Sequence, residues 1–249
     1  MRLLLLVLIL ISSLSCRKFV WDNPNDTINT RTEPASLKDG LVAYYPFNGN
    51  ANDESGNGNN GTVIGAKLDA DRFNISNRAY LLNGVDNFLK MQKPGPIGNP
   101  RVTVSFWLKS INQFTGIIIG WGDDGVTGND FRIYQSGQCP SSITFDTYDC
   151  AVNYPIGDIT NIWNHFLVIY DGTIAPNVFS SSTYLNGVNI KNTCFTQNLG
   201  PTNIKGTNPI TIGRYHGTKQ DGYLHAAIDD VRIYNRILSQ EEITYLANN

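Results

Sequence analysis

Short runs of apolar and aromatic residues alternate with clusters of Gly, Asn, Asp and Pro along most of the chain. These runs are residues 41–47, 102–108, 116–121, 131–134, 143–148, 166–170, 182–185 and 210–213. Runs of this length, bounded by turn-forming residues, predict β-strands, and their regular repetition predicts a sandwich or barrel. The fold is therefore expected to be all-β and to form one domain, large enough to bury a substantial core.

The segment 223–245 combines a long strand with a helix start. β-branched and aromatic residues in its first half predict the strand. Two adjacent acids, Asp229 and Asp230, fall inside it, and because Asp is depleted in strand interiors we expect at least one of them to have a partner. Ser239 followed by Glu242 forms a capping box, in which the two side chains cap the helix start reciprocally. A short helix is therefore predicted after the strand.

Several motifs along the chain point to a known family. They are residues 40–63, 71–73, 79–84, 103–107, 163–166, 184–188 and 223–245. In this order and at these spacings they resemble the laminin-G-like, concanavalin A-like lectin/glucanase jelly-roll family, in its bacterial cell-surface branch. The resemblance covers about residues 37 to 249. It implies an all-β, two-sheet antiparallel jelly-roll sandwich with a short C-terminal helix.

Two positions depart from the family pattern. Ala226 stands where the family has a glycine near the start of the last strand. Asn83 replaces the usual Asp before a Gly-x-Asp turn. Neither change threatens the predicted fold, but the second weakens a metal-ligand role for position 83.

The N-terminal residues predict export. Arg2 is followed by nine apolar residues, 3–11. A membrane span needs about 20 apolar residues, so this run fits the apolar region of a signal peptide. Residues 13–16 resemble a lipobox, which implies that Cys16 becomes the lipidated first residue of the mature protein. Ordinary signal-peptide cleavage is the alternative.

Three segments follow from these features. Residues 1–15 are interpreted as a signal peptide that is removed. Residues 16–39 are interpreted as the lipidated cysteine and a flexible tether, because they are polar and lack periodicity. Residues 40–249 form the predicted jelly-roll domain. The expected location is the cell envelope, at the outer membrane or cell surface, with the lipid anchor as the only membrane contact.

Charge and motif content exclude two classes of function. The formal net charge is −2, and no run of Lys and Arg is longer than the pair Arg17 and Lys18. Nucleic-acid binding needs a basic stripe, so it is excluded. A retaining glycosidase needs two carboxylates about 5–5.5 Å apart, and no predicted strand carries a suitable alternating pair of acids. Nucleophile-elbow, zinc-protease, Walker and dinucleotide motifs are also missing from the sequence. The chain is therefore predicted not to be an enzyme.

Three cysteines, Cys139, Cys150 and Cys194, fall in the predicted domain. An exported protein meets an oxidising compartment, so a disulfide is expected. Three is an odd number, which leaves one thiol over. Cys139 with Cys150 would close a small loop, and Cys150 with Cys194 is the rival pairing. A bond that involves Cys150 is favoured, its partner is left open, and three buried free thiols are the alternative.

An acidic loop at residues 53–60 is a candidate calcium site. Calcium takes six to eight oxygen ligands, and glycines let backbone carbonyls turn towards an ion. The family resemblance implies that this loop packs near the last strand. Asp53, Asn57 and one of Asp229 and Asp230 could then share a structural calcium ion. The alternative is an Asx turn at Asp53 and backbone hydrogen bonds to Asp229.

Two neighbouring predicted strands carry a candidate ligand-binding face. Alternation directs one set of side chains to the core, namely Phe131, Ile133, Ile143 and Phe145. The opposite, exposed face then presents Arg132, Tyr134, Asp146 and Tyr148. Adjoining loops are expected to add Trp121, Asp123, Asp124, Asn129 and Asp130 on one side, and Tyr215, His216 and Asp221 on the other. Sugar rings stack on aromatic faces, and their hydroxyls bond to acids and guanidinium groups. The alternative is an ordinary solvated sheet face with cross-strand pairs.

These observations predict a non-catalytic binding module of the cell envelope. Its expected partner is a glycan or polysaccharide, with a structural calcium ion as an aid. A protein-adhesion or scaffold module is the alternative, and a hydrolase with an unrecognised Asp-based site is the third possibility. The binding prediction depends mainly on the family resemblance, and a fold alone does not determine a function.

Overall fold

The computed structural model describes residues 33–113, 116–137, 139, 141–194, 196–198, 200–217 and 221–249. The predicted signal peptide, Cys16 and most of the predicted tether lie outside these residues. Glu33–Asn249 forms one compact unit. Residues 33–39, which the sequence assigns to the tether, belong to this unit, because a short 3-10 helix at Ala35–Lys38 buries Leu37 completely.

The described residues contain sixteen strands and one α-helix. In chain order they are β1 (Leu41–Tyr45), β2 (Gly61–Ile64), β3 (Lys67–Asp69), β4 (Ala79–Asn83), β5 (Phe88–Met91), β6 (Arg101–Ser110), β7 (Gly116–Gly122), β8 (Asp130–Ser136), β9 (Ser142–Asp146), β10 (Cys150–Pro155), β11 (Trp163–Asp171), β12 (Ser181–Leu185), β13 (Val188–Ile190), β14 (Thr196–Asn198), β15 (Thr211–Ile212), β16 (His225–Tyr234) and α1 (Gln240–Asn248). Each predicted strand is present. The predicted fold class, an antiparallel two-sheet sandwich with a short C-terminal helix, is confirmed.

The strands form two antiparallel sheets. The first sheet has the order β13-β12-β11-β6-β16-β4-β3, and β1 also pairs with β16. The second has the order β14-β10-β9-β8-β7-β15-β5-β2. Neighbouring strands are often distant in sequence, as where β6 lies between β11 and β16. Such long crossovers let the apolar faces of the two sheets cover each other.

The core lies between the sheets and follows the period of two along each strand. In β6, the even-numbered residues from Val102 to Leu108 are fully buried in the main core cluster. In the second sheet, the four predicted core residues Phe131, Ile133, Ile143 and Phe145 are also fully buried. The alternation argument is therefore correct for this pair of strands, and it leaves the side chain of Arg132 on the outer face.

Strand β16 contains a bulge that separates its two halves. Its first half pairs with β4, its second half pairs with β1, and the register against β6 shifts between Asp229 and Arg232. Asp230 has a φ of 46°, in the left-handed region. A bulge bends the strand and redirects side chains. Here it turns the two predicted acids towards the loop that follows β3.

Helix α1 covers part of the outer face of the first sheet. It starts at the predicted capping box: the Glu242 N–H donates to Ser239 Oγ at 3.3 Å, and the Ser239 N–H donates to Glu242 Oε2 at 2.8 Å. Ile243 and Leu246 pack with Leu37 in a second apolar cluster. Within the described part of the chain, no helix is both long enough and apolar enough to span a membrane.

Candidate functional site

Arg132 lies at the centre of a polar cluster on the outer face of the second sheet. We call Asp130, Arg132, Asp146, Tyr215 and His216 the Arg132 cluster. Asp146 is the cross-strand partner of Arg132, and its Oδ1 accepts a hydrogen bond from Arg132 Nη2. Arg132 Nε lies 3.1 Å from Asp130 Oδ2, and Nη1 donates to the Tyr215 hydroxyl at 2.7 Å. The guanidinium therefore joins two strands and one loop.

Two tyrosine rings lie beside this guanidinium. The centroids of Tyr148 and Tyr215 are 5.3 and 5.0 Å from Arg132 Cζ, within cation–π range. Tyr148 lies in the turn after β9 with a φ of 44°, and its N–H donates to Asp146 Oδ1 at 2.8 Å. The turn thereby places an aromatic ring beside the cation.

Asp130 and His216 form the most enclosed part of the cluster. Asp130 is fully buried, and its Oδ2 lies 3.6 Å from His216 Nε2. Burial raises the pKa of Asp130 to about 8 and lowers the pKa of His216 to about 4. Neither side chain makes a hydrogen bond of good geometry to the described residues. Both groups are therefore largely uncharged near neutral pH, and both retain hydrogen-bonding capacity.

The other three predicted ligand residues, Tyr134, Asp124 and Trp121, lie in different surroundings from one another. Tyr134 is half-buried on the same face as Arg132. Asp124 is half-buried in the loop after β7, close to Gly217, where an added Cβ would come within 2.1 Å of Asp124 Cγ. The prediction for Trp121 is wrong. It belongs to β7, not to a loop, and is fully buried against Phe131 with a centroid distance of 4.1 Å.

The predicted face is also more enclosed than expected. The Arg132 side chain is 11% exposed and that of Asp146 is 10% exposed. The sequence argument treated this surface as an open sheet face. It did not anticipate that the Tyr148 turn and the loop containing Tyr215 and His216 pack against it. The alternation that assigned Arg132 outwards also applies to Asp130, two residues earlier, so that signal was present in the sequence.

The first half of the predicted calcium site is an Asx-type loop. Asp53 Oδ1 accepts the N–H groups of Tyr44 at 3.0 Å and Ser55 at 2.9 Å, and Oδ2 accepts that of Asn59 at 2.8 Å. Burial alone would raise the pKa of Asp53, but these hydrogen bonds lower it below its usual value. The backbone carbonyl of Asn57 accepts from Lys93 Nζ at 2.6 Å. An ammonium group therefore already contacts one of the two candidate ligand atoms of Asn57.

The second half of that site is paired with Arg72. Arg72 Nη1 lies 2.7 Å from Asp229 Oδ2, and Nη2 lies 2.6 Å from Asp230 Oδ2. Burial and the neighbouring Asp230 raise the pKa of Asp229 to about 8, against the opposing effect of Arg72. Across the described residues, no group of three or more His, Cys, Asp or Glu side chains could hold a metal ion. The donors of Asp53, Asn57, Asp229 and Asp230 do not fit a shared calcium ion.

Arg72 also borders a cavity on the outer face of the first sheet, which we call the Arg72 cavity. Its volume is about 200 Å³, and its lining includes Tyr44, Trp107, His165 and Arg232. The Arg72 guanidinium lies 4.7 Å from the Trp107 ring centroid. Arg72 belongs to the motif at residues 71–73 that resembles the family, but the sequence alone did not indicate a role for its side chain.

Comparison with known proteins identifies the family. The family model described as the concanavalin A-like lectin/glucanases superfamily matches residues 83–244. The chain belongs to this superfamily. No curated protein matches it.

Several solved structures have a similar fold. Domain 4 of AbnA, a GH43 extracellular arabinanase from Geobacillus stearothermophilus solved in complex with arabinotriose, is 22% identical, with a TM-score of 0.61 over 83% of this chain and 98% of that one. The binding domain of Paraclostridial Mosquitocidal Protein 1 is 18% identical, with a TM-score of 0.61 over 85% of this chain and 52% of that one. The botulinum neurotoxin serotype D ligand binding domain, solved with N-acetylneuraminic acid, is 17% identical, with a TM-score of 0.60 over 86% and 52%. This chain spans about half the length of the toxin binding domains, and identities this low show a common fold alone.

Proposed function

We propose that this protein is a non-catalytic carbohydrate-binding module that binds a glycan or polysaccharide at the Arg132 cluster. The carrying observation is the arrangement around Arg132, whose guanidinium lies beside two tyrosine rings and next to buried polar groups that retain hydrogen-bonding capacity. We further propose that the domain is displayed at the cell envelope through the predicted lipid anchor at Cys16.

The chemistry of the cluster suits a sugar. Carbohydrate hydroxyls donate and accept hydrogen bonds, and the edges of Asp146, Arg132 and Tyr215 offer both kinds of partner. Buried polar groups normally have hydrogen-bond partners, so the two unsatisfied oxygens of Asp130 require an explanation. Because both oxygens are fully buried, a ligand would satisfy them through an intervening water molecule or after the loop that contains His216 shifts. Domain 4 of AbnA, which has a similar fold, was solved with an arabinotriose ligand, and this supports the proposed class of ligand.

The same geometry favours binding over hydrolysis. A glycosidase needs one carboxyl group as an acid and another as a nucleophile or base. In the Arg132 cluster both acids, Asp130 and Asp146, contact the same guanidinium. Asp146 also accepts a backbone N–H at 2.8 Å. Because these contacts fix both carboxyl groups, they support a role for the two acids in positioning a ligand and not in catalysis.

A polysaccharide and glycan array tests the proposal. We expect a specific ligand for the wild-type chain and a loss of at least tenfold in affinity in Tyr148→Ala, because the ring beside Arg132 is removed. Phe73→Ala is the matched control, since it removes an aromatic ring that is 61% exposed and lies after a strand of the other sheet. Equal losses in both variants would contradict the proposed site.

A protein-adhesion role is the second candidate. The binding domain of botulinum neurotoxin DC, another protein of similar fold, was solved in complex with rat synaptotagmin II. An array without any specific ligand would favour this role, and recovery of one envelope protein by the wild-type chain would then define the partner.

A further inference from the structure

The three cysteines of the domain are thiols in this structure, but two of them are neighbours. Cys139 lies in the turn between β8 and β9, and Cys194 lies between β13 and β14. The Cys194 sulfur is 3.5 Å from the backbone carbonyl oxygen of Cys139. Partial desolvation and the adjacent Cys139 thiol raise the pKa of Cys194 to about 11. Both cysteines are half-buried, so reagents can reach them.

Strand register explains this proximity. In the pairing of β9 with β10, Ser142 faces Pro155, and Cys139 precedes Ser142 by three residues. In the pairing of β10 with β14, Val152 faces Thr196, and Cys194 precedes Thr196 by two residues. Both cysteines therefore lie near the Pro155 end of β10, although they are 194 − 139 = 55 positions apart in sequence.

The same register separates both of them from Cys150. Cys150 is at the opposite end of β10, where it faces Asn198. Pro155 is the fifth residue after Cys150, which places it about 16 Å away along a strand. A disulfide requires Cα atoms within about 7 Å of each other. Cys150 is also fully buried, and its sulfur donates to the Gly200 carbonyl at 3.7 Å. The two pairings that the sequence left open both use Cys150, and both are disfavoured by this geometry.

We propose that Cys139 and Cys194 form an intramolecular disulfide in the exported protein, and that Cys150 remains a buried thiol. The oxidant is a disulfide-bearing oxidoreductase or a small-molecule disulfide. A thiolate of this pair attacks the oxidant's S–S bond and forms a mixed disulfide, releasing one oxidant thiol. The second cysteine, as its thiolate, then displaces the other oxidant thiol. Two electrons pass to the oxidant, and the two protons lost by the cysteines end on its thiols.

The bond would tie the turn between β8 and β9 to the segment before β14. Strands β8 and β9 carry Arg132 and Asp146, so the cross-link would fix one end of the strand pair that holds the Arg132 cluster. The pairing follows from register and contact and does not depend on the proposed carbohydrate ligand, but its oxidation rests on the proposed export of the domain.

Peptide mapping of the full-length chain tests the proposal. The protein is isolated from the envelope of its producing cells with a thiol-blocking reagent present, denatured with more reagent, and digested without reduction. We expect one cross-linked peptide pair containing Cys139 and Cys194, and an alkylated peptide containing Cys150. Alkylation of all three cysteines, or a cross-link that contains Cys150, would overturn the proposal.

Oxidation of the purified full-length chain by oxidised glutathione gives a second test. Cys150→Ala is expected to form the same cross-linked peptide pair as wild type, whereas Cys139→Ser and Cys194→Ser are expected to form no intramolecular cross-link. Loss of the cross-link in a folded Cys150→Ala variant would refute the assignment. The wild-type map remains decisive if a serine variant fails to fold.

Discussion

Replacement of Arg72 by Met is expected to destabilise the domain strongly. Arg72 is the cation for both Asp229 and Asp230, at 2.7 and 2.6 Å, and its side chain is 11% exposed. Removing one partner of a buried ion pair costs about 3–5 kcal/mol, because the remaining charge stays buried without compensation. Asp230 is 21% exposed and still accepts a hydrogen bond from the Tyr44 hydroxyl at 2.9 Å. Because the pKa of Asp229 is raised to about 8, Asp229 is largely protonated near neutral pH, and Asp230 is the charge left without a partner. We therefore expect the lower end of that range, about 3 kcal/mol.

Urea unfolding followed by tryptophan fluorescence measures this cost. Arg101→Met is the matched control, since Arg101 pairs with Asp171 at 3.3 Å but its side chain is 56% exposed. Exposed pairs contribute at most about 1 kcal/mol. A loss in Arg72→Met that is below 1 kcal/mol, or equal to the loss in Arg101→Met, would refute the reasoning. Adding Asp230→Asn to Arg72→Met should recover part of the loss, because it removes the charge left unpaired.

Three further predictions follow from the described contacts. Chelator should leave the melting temperature unchanged, because the Asp53 oxygens already accept three backbone N–H groups; a fall that added calcium reverses would revive the calcium site. Asp130→Asn should gain stability relative to wild type as the pH rises from about 4 to about 8. The folded-state pKa of Asp130, about 8, is above its ordinary value of 3.8, so the stabilisation from its protonated form is complete below pH 4 and is lost as the pH rises through 8. Melting curves that differ equally at pH 5 and pH 8 would contradict this. Gly120→Ala should cost about 1–3 kcal/mol in urea unfolding, because the new Cβ would lie 2.6 Å from His216 Nδ1 and 3.1 Å from the Phe131 carbonyl oxygen; a neutral effect would mean that His216 moves freely.

The sequence predicts the strands and the helix well because both are determined locally. The period of two identifies the buried side of β8 and β9, and the Ser239 capping box fixes the start of α1. Asp229 and Asp230 are unusual inside a strand, and the prediction that at least one of them has a partner is correct. Their partner could not be named, because Arg72 is 157 positions from Asp229 and only the bulge in β16 brings them together.

The errors arose where loops pack onto the sheets. Trp121 was assigned to the loop that adjoins the ligand face, although it also ends the predicted strand at 116–121. Strand β7 continues to Gly122, and Trp121 is fully buried. The proximity of Cys139 and Cys194 could not be predicted for a related reason. Spacing along the chain suggested a small loop, whereas proximity is determined by which end of β10 each segment reaches.

Arg72 with Asp229, Asp230 and Tyr44, here called the Arg72 cluster, differs from the Arg132 cluster in its contacts. The difference favours a structural role for the Arg72 cluster and a binding role for the Arg132 cluster. In the Arg72 cluster both oxygens of Asp229 and of Asp230 have a partner, although Arg72 Nε and the neighbouring His165 Nδ1 have none among the described residues. Asp229 Oδ1 accepts the Asp230 N–H at 2.8 Å, Asp230 Oδ1 accepts the Tyr44 hydroxyl, and the two Oδ2 atoms contact Arg72. The adjoining cavity of about 200 Å³ is below the 300–1,000 Å³ of typical ligand pockets and suits several water molecules.

The Arg132 cluster, in contrast, contains buried carboxyl and imidazole atoms that lack hydrogen-bond partners among the described residues. Asp130 Oδ1 and both ring nitrogens of His216 make no hydrogen bond of good geometry to the described residues, and Asp130 Oδ2 contacts Arg132 Nε at 3.1 Å. Both side chains are more than nine-tenths buried. Unsatisfied buried polar groups cost about 1–3 kcal/mol each. We therefore expect water or a bound ligand to supply the missing hydrogen bonds. Both clusters contain arginine–carboxylate pairs, but water or a ligand that completes the hydrogen bonds of Asp130 and His216 would recover part of that cost. The unsatisfied carboxyl and imidazole groups of Asp130 and His216 are the physical reason for proposing a carbohydrate site on the second sheet.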